Sequence, residues 1–187
     1  MGKIIYRSLD IMPADVGDSF IIEGYATKWN RYRLGAYKGE DVYEQIERNA
    51  FSEGAIKDVV LLYNHAGRAL ARTTNGTLKL VLDDVGLKMW ANLSLTTRGR
   101  ELYEEIRSGL ITQMSWSFIA KRMTFDSKTR TFHVKEVERV YDVSPVIFPA
   151  NDQTEVAARA FGFGSASALA EQIDRYLLAE VISQLIE

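Results

Sequence analysis

The sequence predicts an α+β fold of mainly antiparallel strands with surrounding helices and a C-terminal amphipathic helix. Three observations lead there. Short runs rich in β-branched and aromatic residues recur through the first two-thirds of the chain, separated by turn-forming clusters. One stretch, "TTRGRELYEEIRSGL", carries both a start and a stop signal for a helix. The last 23 residues, "SASALAEQIDRYLLAEVISQLIE", repeat apolar residues at helical spacing.

The elements follow in order. "KIIYRS" and "SFIIEGYATKWN" predict strands joined by the turn-forming "PADVGD". Gly24 lies inside the second of these, which predicts a bulge or a close backbone approach. "EDVYEQIERNAFSEGA" predicts one or two short helical turns. "KDVVLLYNH" predicts a strand ending in His65. "TLKLVLDDVGLKMWANLS" predicts two strands around "DDVG", since Leu78, Leu80 and Leu82 alternate, and then Leu87, Met89 and Ala91. In the capped helix Thr96 or Thr97 supplies the cap and Gly109 the stop, with Leu102, Tyr103 and Ile106 at helical spacing. "ITQMSWSFIAKRMTFD" and "RTFHVKEVERVYDVSPVIF" predict strands around "DSKT". "NDQTEVAARAFGFGSAS" (151–167) is small and polar enough for a linker, and the final helix carries the stripe Leu169, Ile173, Leu177, Val181 and Leu185.

Composition narrows the function. The 187 residues suffice for one good-sized domain with a short appendage, and 47% hydrophobic with 26% charged residues is ordinary for a globular chain. A net charge of −2 argues against a general nucleic-acid binder, which needs a basic footprint. With no cysteine, a disulfide scaffold, a cysteine nucleophile and a thiolate metal site are excluded. The two histidines, His65 and His133, share no local ligand spacing, so no metal or other cofactor is expected. "GFGSAS" has no preceding strand to make it a phosphate cradle. The first 20 residues lack the apolar core of a secretory signal, and no run reaches the roughly 18 residues of a membrane span. The chain is therefore expected to be soluble and cytoplasmic.

A nucleophile–base pair is the chemistry left. A neutral imidazole is the side chain best matched to proton transfer near neutral pH, which makes His65 the candidate base. Ser115 and Ser117 lie on an apolar strand beside Met114, Trp116 and Phe118, where a hydroxyl needs a partner. A neighbouring carbonyl would serve as that partner, and so would a histidine. A third group that fixes the base's tautomer would come from Glu136, Glu138 or Asp142, which strict alternation puts on one face of their strand. An ordinary solvated strand face accounts for the same carboxylates.

The order of these pieces resembles a known pattern. "EGYAT" and "ERNAF" are followed by a strand ending in "LYNH", by "GLITQMSWSF" and by "VYDVSPVIFPAN". Over about residues 3–155 this is similar to the phage prohead (capsid maturation) protease family of the HK97 type. The resemblance implies a serine endopeptidase with a β-barrel of herpesvirus-protease (assemblin) type, in a protease domain spanning 1–155. Residues 156–187 would then be a linker and a C-terminal helix, the helix either an interaction piece or packed on the barrel. It implies His65 as base and Ser115 as nucleophile, with Ser117 at a position where relatives often have glycine. It favours Glu136 as the third member, then Glu138, with His133 as an outside candidate. "HAGR" and "SPVIFPAN" would line the site. The expected activity is cleavage of scaffold segments of capsid proteins, and of the enzyme itself. The expected partners are the major capsid protein and further copies of the chain, with no nucleic acid and no membrane. The expected location is inside the procapsid in the host cytoplasm. The alternative is a non-enzymatic capsid-assembly protein that uses His65 and Ser115 as core hydrogen-bonding groups. A small-molecule hydrolase fits less well, for want of a G-x-S-x-G turn.

Overall fold

In the computed structural model, residues 4–13, 19–147 and 170–179 are described. Four strands come first: β1 (Ile4–Pro13), β2 (Ile21–Lys28), β3 (Tyr32–Tyr37) and β4 (Glu40–Ile46). A 3-10 turn (Glu53–Ile56) leads to β5 (Val60–Tyr63) and β6 (Ala66–Arg72), then a second such turn to β7 (Leu78–Leu82) and β8 (Gly86–Asn92). Helix α1 (Thr97–Arg107) precedes two long strands, β9 (Gln113–Asp126) and β10 (Thr131–Val146). A further helix, α2, covers 170–179. The class is α+β, mostly strands with two helices among the described residues.

The described strands form one sheet in the order β3-β4-β10-β9-β1-β2-β8-β7, with β5 on β10 and β6 on β5. β9 is interior to this order. It pairs antiparallel with β1 on one side and with β10 on the other, so that Ser8, Ser115 and Ser144 lie abreast. Residues 114–119 of β9 are all buried, as a strand covered on both faces requires. The face opposite Ser115 carries Trp116 stacked on Phe118 at 4.0 Å between ring centroids. Both rings belong to the main core, with Ile22, Leu61, Met89, Leu102 and Val143. Along β10 the parallel neighbours are β4 at Thr131–Val134 and β5 at Asp142–Val143.

Several predicted elements form where their patterns put them. β7 and β8 close over Asp83, whose Oδ1 accepts from the N–H of Val85 at 2.8 Å and of Gly86 at 2.9 Å. The α1 cap is Thr96, whose Oγ1 accepts from Gly99 N–H at 2.9 Å, and Gly109 ends the helix at φ +78°.

The predicted helical turns over 40–55 are mostly a strand instead. β4 alternates with Val42, Glu44 and Ile46 buried, a period of two that only an extended chain produces. Its Glu44 is buried against the hydroxyl of Tyr32, which breaks the usual link between carboxylates and the surface. The partner strand β3 lies where the sequence predicts no element. It reaches β4 through Lys38 and Gly39, both at positive φ, as the two-residue type I′ hairpin turn requires. The irregularity expected at Gly24 falls between Tyr25 and Thr27.

Helix α2 seats Ile173, fully buried, in a second cluster with Leu34, Tyr37, Val42 and Phe132. The Tyr37 hydroxyl donates to Asp174, and that of Tyr176 to the Met123 carbonyl at 3.0 Å. The predicted linker, and the parts of the stripe at Leu169, Val181 and Leu185, lie outside the described residues.

Candidate active site

Three segments far apart in sequence converge on His65. The histidine is not at a strand end but in a turn. Asn64 and His65 form the two-residue loop between β5 and β6, at φ +49° and +57°. Both signs are those of a type I′ turn, where Asn-Gly is the usual pair and where Asn and His are among the non-glycine side chains that enter the left-handed region most readily. The turn is tied to the end of β10. Asn64 N–H donates to the Pro145 carbonyl at 3.0 Å, and Ile147 N–H donates to Asn64 Oδ1 at 3.1 Å.

The imidazole lies between two side chains. Its Nδ1 is 2.6 Å from Asp142 Oδ1, and its Nε2 is 2.7 Å from Ser115 Oγ. A carboxylate is an acceptor only, so Nδ1 carries the hydrogen and the neutral ring presents Nε2 as acceptor to the serine hydroxyl. Ser115 is 2% exposed, whereas the His65 side chain is 18% exposed. The dyad is therefore approached from the side of the β5–β6 turn. A cavity of about 250 Å³ lies between β6 and α1. Ala66, Gly67 and Arg68 line it together with Leu70 and the helical Glu101 and Glu105, while His65, Ser115 and Asp142 are not among its lining residues.

Asp142 holds the other ring nitrogen from β10. It stands opposite Ser117, and Ser144 stands opposite Ser115. Oδ1 also accepts from Ser144 Oγ at 2.6 Å, and Oδ2 accepts from the Ser117 hydroxyl. Burial pushes the carboxyl up. The hydrogen bond and charge of His65, with the hydrogen bonds of Ser117 and Ser144, outweigh it and hold Asp142 below the ordinary carboxylate range.

The structure does not bring Glu136, the expected third member, to His65. Glu136 accepts from Lys121 Nζ at 2.6 Å on a solvent-facing part of the sheet. It stands opposite Arg122, seven residues along β9 from Ser115, or ~23 Å of strand. Glu138 is exposed, and His133 places Nδ1 2.8 Å from Glu47 Oε1. The cause is local. Register shifts between Val134 and Glu136, Glu136 and Val137, Val137 and Arg139, and Val140 and Asp142 reset the alternation that had put the three carboxylates on one face. Ser117 and Ser144 had not been assigned as partners of this carboxylate. Their signal was present: Ser115/Ser117 and Asp142/Ser144 are each two apart, hence on one face of their strands.

A histidine held between a buried serine and a buried carboxylate, on a mostly β scaffold, is the constellation of a serine hydrolase. A family profile described as Caudovirus prohead serine protease matches residues 7–167. The chain belongs to that family, and it is a prohead serine protease acting in phage capsid maturation. The match is to a peptidase family, not to a non-enzymatic assembly protein. Comparison with curated proteins and with solved structures gave no match.

Proposed function

We propose that Ser115 is the nucleophile of this protease, His65 its general base and Asp142, in place of Glu136, its orienting carboxylate. The observation that carries the reading is the single imidazole with Ser115 Oγ on one nitrogen and Asp142 on the other. Ser115 Oγ attacks the scissile carbonyl carbon as its proton passes to His65 Nε2. Asp142 keeps the ring in the reactive tautomer and balances the imidazolium that forms. The imidazolium then protonates the departing amine. A water molecule, deprotonated by the same nitrogen, cleaves the acyl-enzyme and restores Ser115.

The substrates are the scaffold segment of the major capsid protein and the chain itself, inside the procapsid in the host cytoplasm. The family match, to a prohead protease, supports this reading. The protease domain spans 1–155 and closes as a barrel of assemblin type, with 156–187 as linker and C-terminal helix. The ten-stranded sheet is compatible with that closure. A fluorophosphonate probe tests the nucleophile. It is expected to label Ser115, and Ser115→Ala is expected to abolish both labelling and scaffold cleavage while the fold persists. Normal cleavage by Ser115→Ala would overturn the assignment.

A further inference from the structure

We infer that Ser117 and Ser144 are positioning residues, whose hydroxyls fix the Asp142 carboxylate as the acceptor for His65. The inference rests on the triad proposed above and extends it to a second layer of side chains.

The geometry divides the work between the two carboxylate oxygens. Oδ1 receives His65 Nδ1–H and Ser144 Oγ–H, each at 2.6 Å. Oδ2 receives the Ser117 hydroxyl. Rotation of the carboxylate about its own axis would break both serine bonds at once. The serines come from different strands, Ser117 from β9 and Ser144 from β10, and these strands pair antiparallel across this region. The carboxylate is thus braced from both sides of the ladder that also carries Ser115. Both hydroxyls are buried, at 1% and 0% exposure, so bulk water offers no alternative acceptor.

The arrangement also selects a protonation state. An ionised carboxylate accepts all three hydrogens. A protonated one turns an acceptor site into a donor, so that one of the three converging hydrogens loses its acceptor. The groups facing Asp142 are His65 from the β5–β6 turn, Ser117 from β9 and Ser144 from its own strand, and His65 is the titratable one among them. Both serines act in the direction that keeps the carboxyl below its ordinary range. Neither touches the substrate in the proposed reaction. They act through Asp142 on the orientation of the imidazole.

The test compares Ser117→Ala and Ser144→Ala with wild type by two readouts. One is kcat and KM on a scaffold peptide. The other is the titration midpoint of the Asp142 side-chain carboxyl, followed by carbon NMR. Each variant is expected to lower kcat about tenfold at little change in KM, as loss of a transition-state orientation does. The Asp142 midpoint is expected to rise as a donor is lost. Ser117→Thr and Ser144→Thr keep the hydroxyl, and are expected to return both readouts toward wild type even if an alanine variant fails to fold. An unmoved midpoint in the alanine variants overturns the inference, whether kcat is retained or falls with thermal stability. The midpoint needs no turnover, so it reports on these serines even if Ser115 proves not to be the nucleophile.

Discussion

Asp142 and Glu136 make opposite predictions for the same kind of substitution. Asp142→Asn keeps the shape of the side chain but turns one oxygen into an amide that cannot accept from His65 Nδ1–H. The ring is then free to adopt the tautomer with Nε2 protonated, which cannot take a proton from Ser115. A fall in kcat on the order of 10⁴ is expected. Glu136→Gln loses only a solvent-exposed pair with Lys121, which water and salt screen, and should leave kcat unchanged. Asp142 also ties stability to pH. Its folded-state value is depressed, so its ionisation stabilises the fold above the unfolded-state value, ~3.9. That contribution is lost as pH falls through the folded-state value. Urea unfolding of wild type and Asp142→Asn from pH 6 to pH 2 should show the gap between them closing on the acid side. A constant gap would mean that the carboxylate contributes nothing through its charge.

Elements differ in how plainly the sequence announced them. β7, β8 and β9 were legible because buried strands leave either clean alternation or a continuous apolar run, and α1 because Thr96 and Gly109 mark its ends. β4 was not, since "EDVYEQI" is rich in helix formers and hides a buried Glu44. β6 was not, since the residues after His65 are largely exposed and carry no apolar stripe. Two residues of the proposed site, His65 and Ser115, could be named from segments that read clearly. The third could not, because bulges in β10 are set by pairing with β9 and leave no mark in the spacing of carboxylates. The β5–β6 turn carries a prediction of its own. Asn64→Ala puts a Cβ without polar help at φ +49° and removes the acceptor for Ile147 N–H, at a cost of about 2 kcal/mol. Because the same turn aims His65, kcat should fall more than KM rises. Unchanged kinetics in a folded Asn64→Ala protein would show that the turn holds itself without that bond.

At the scale of the molecule, two clusters share one sheet. The larger lies behind Ser115. The smaller joins β3, β4 and β10 to α2 through Ile173 and the rings of Phe125, Phe132 and Tyr176. Ile173→Ala should destabilise by about 2–4 kcal/mol, while Leu178→Ala, at a side chain 61% exposed, should stay within ~0.5 kcal/mol. Equal effects in chemical denaturation would mean that α2 does not hold its seat in solution. The proposed centre belongs to neither cluster alone. It is built across separations of 50 residues from His65 to Ser115 and 77 from His65 to Asp142. The order of synthesis gives this spacing a consequence. A nascent chain carries His65 and Ser115 before β10 is made, and lacks Asp142, the carboxylate that the proposed triad needs. The proposed triad is thus complete only once β10 has been made and has paired with β9.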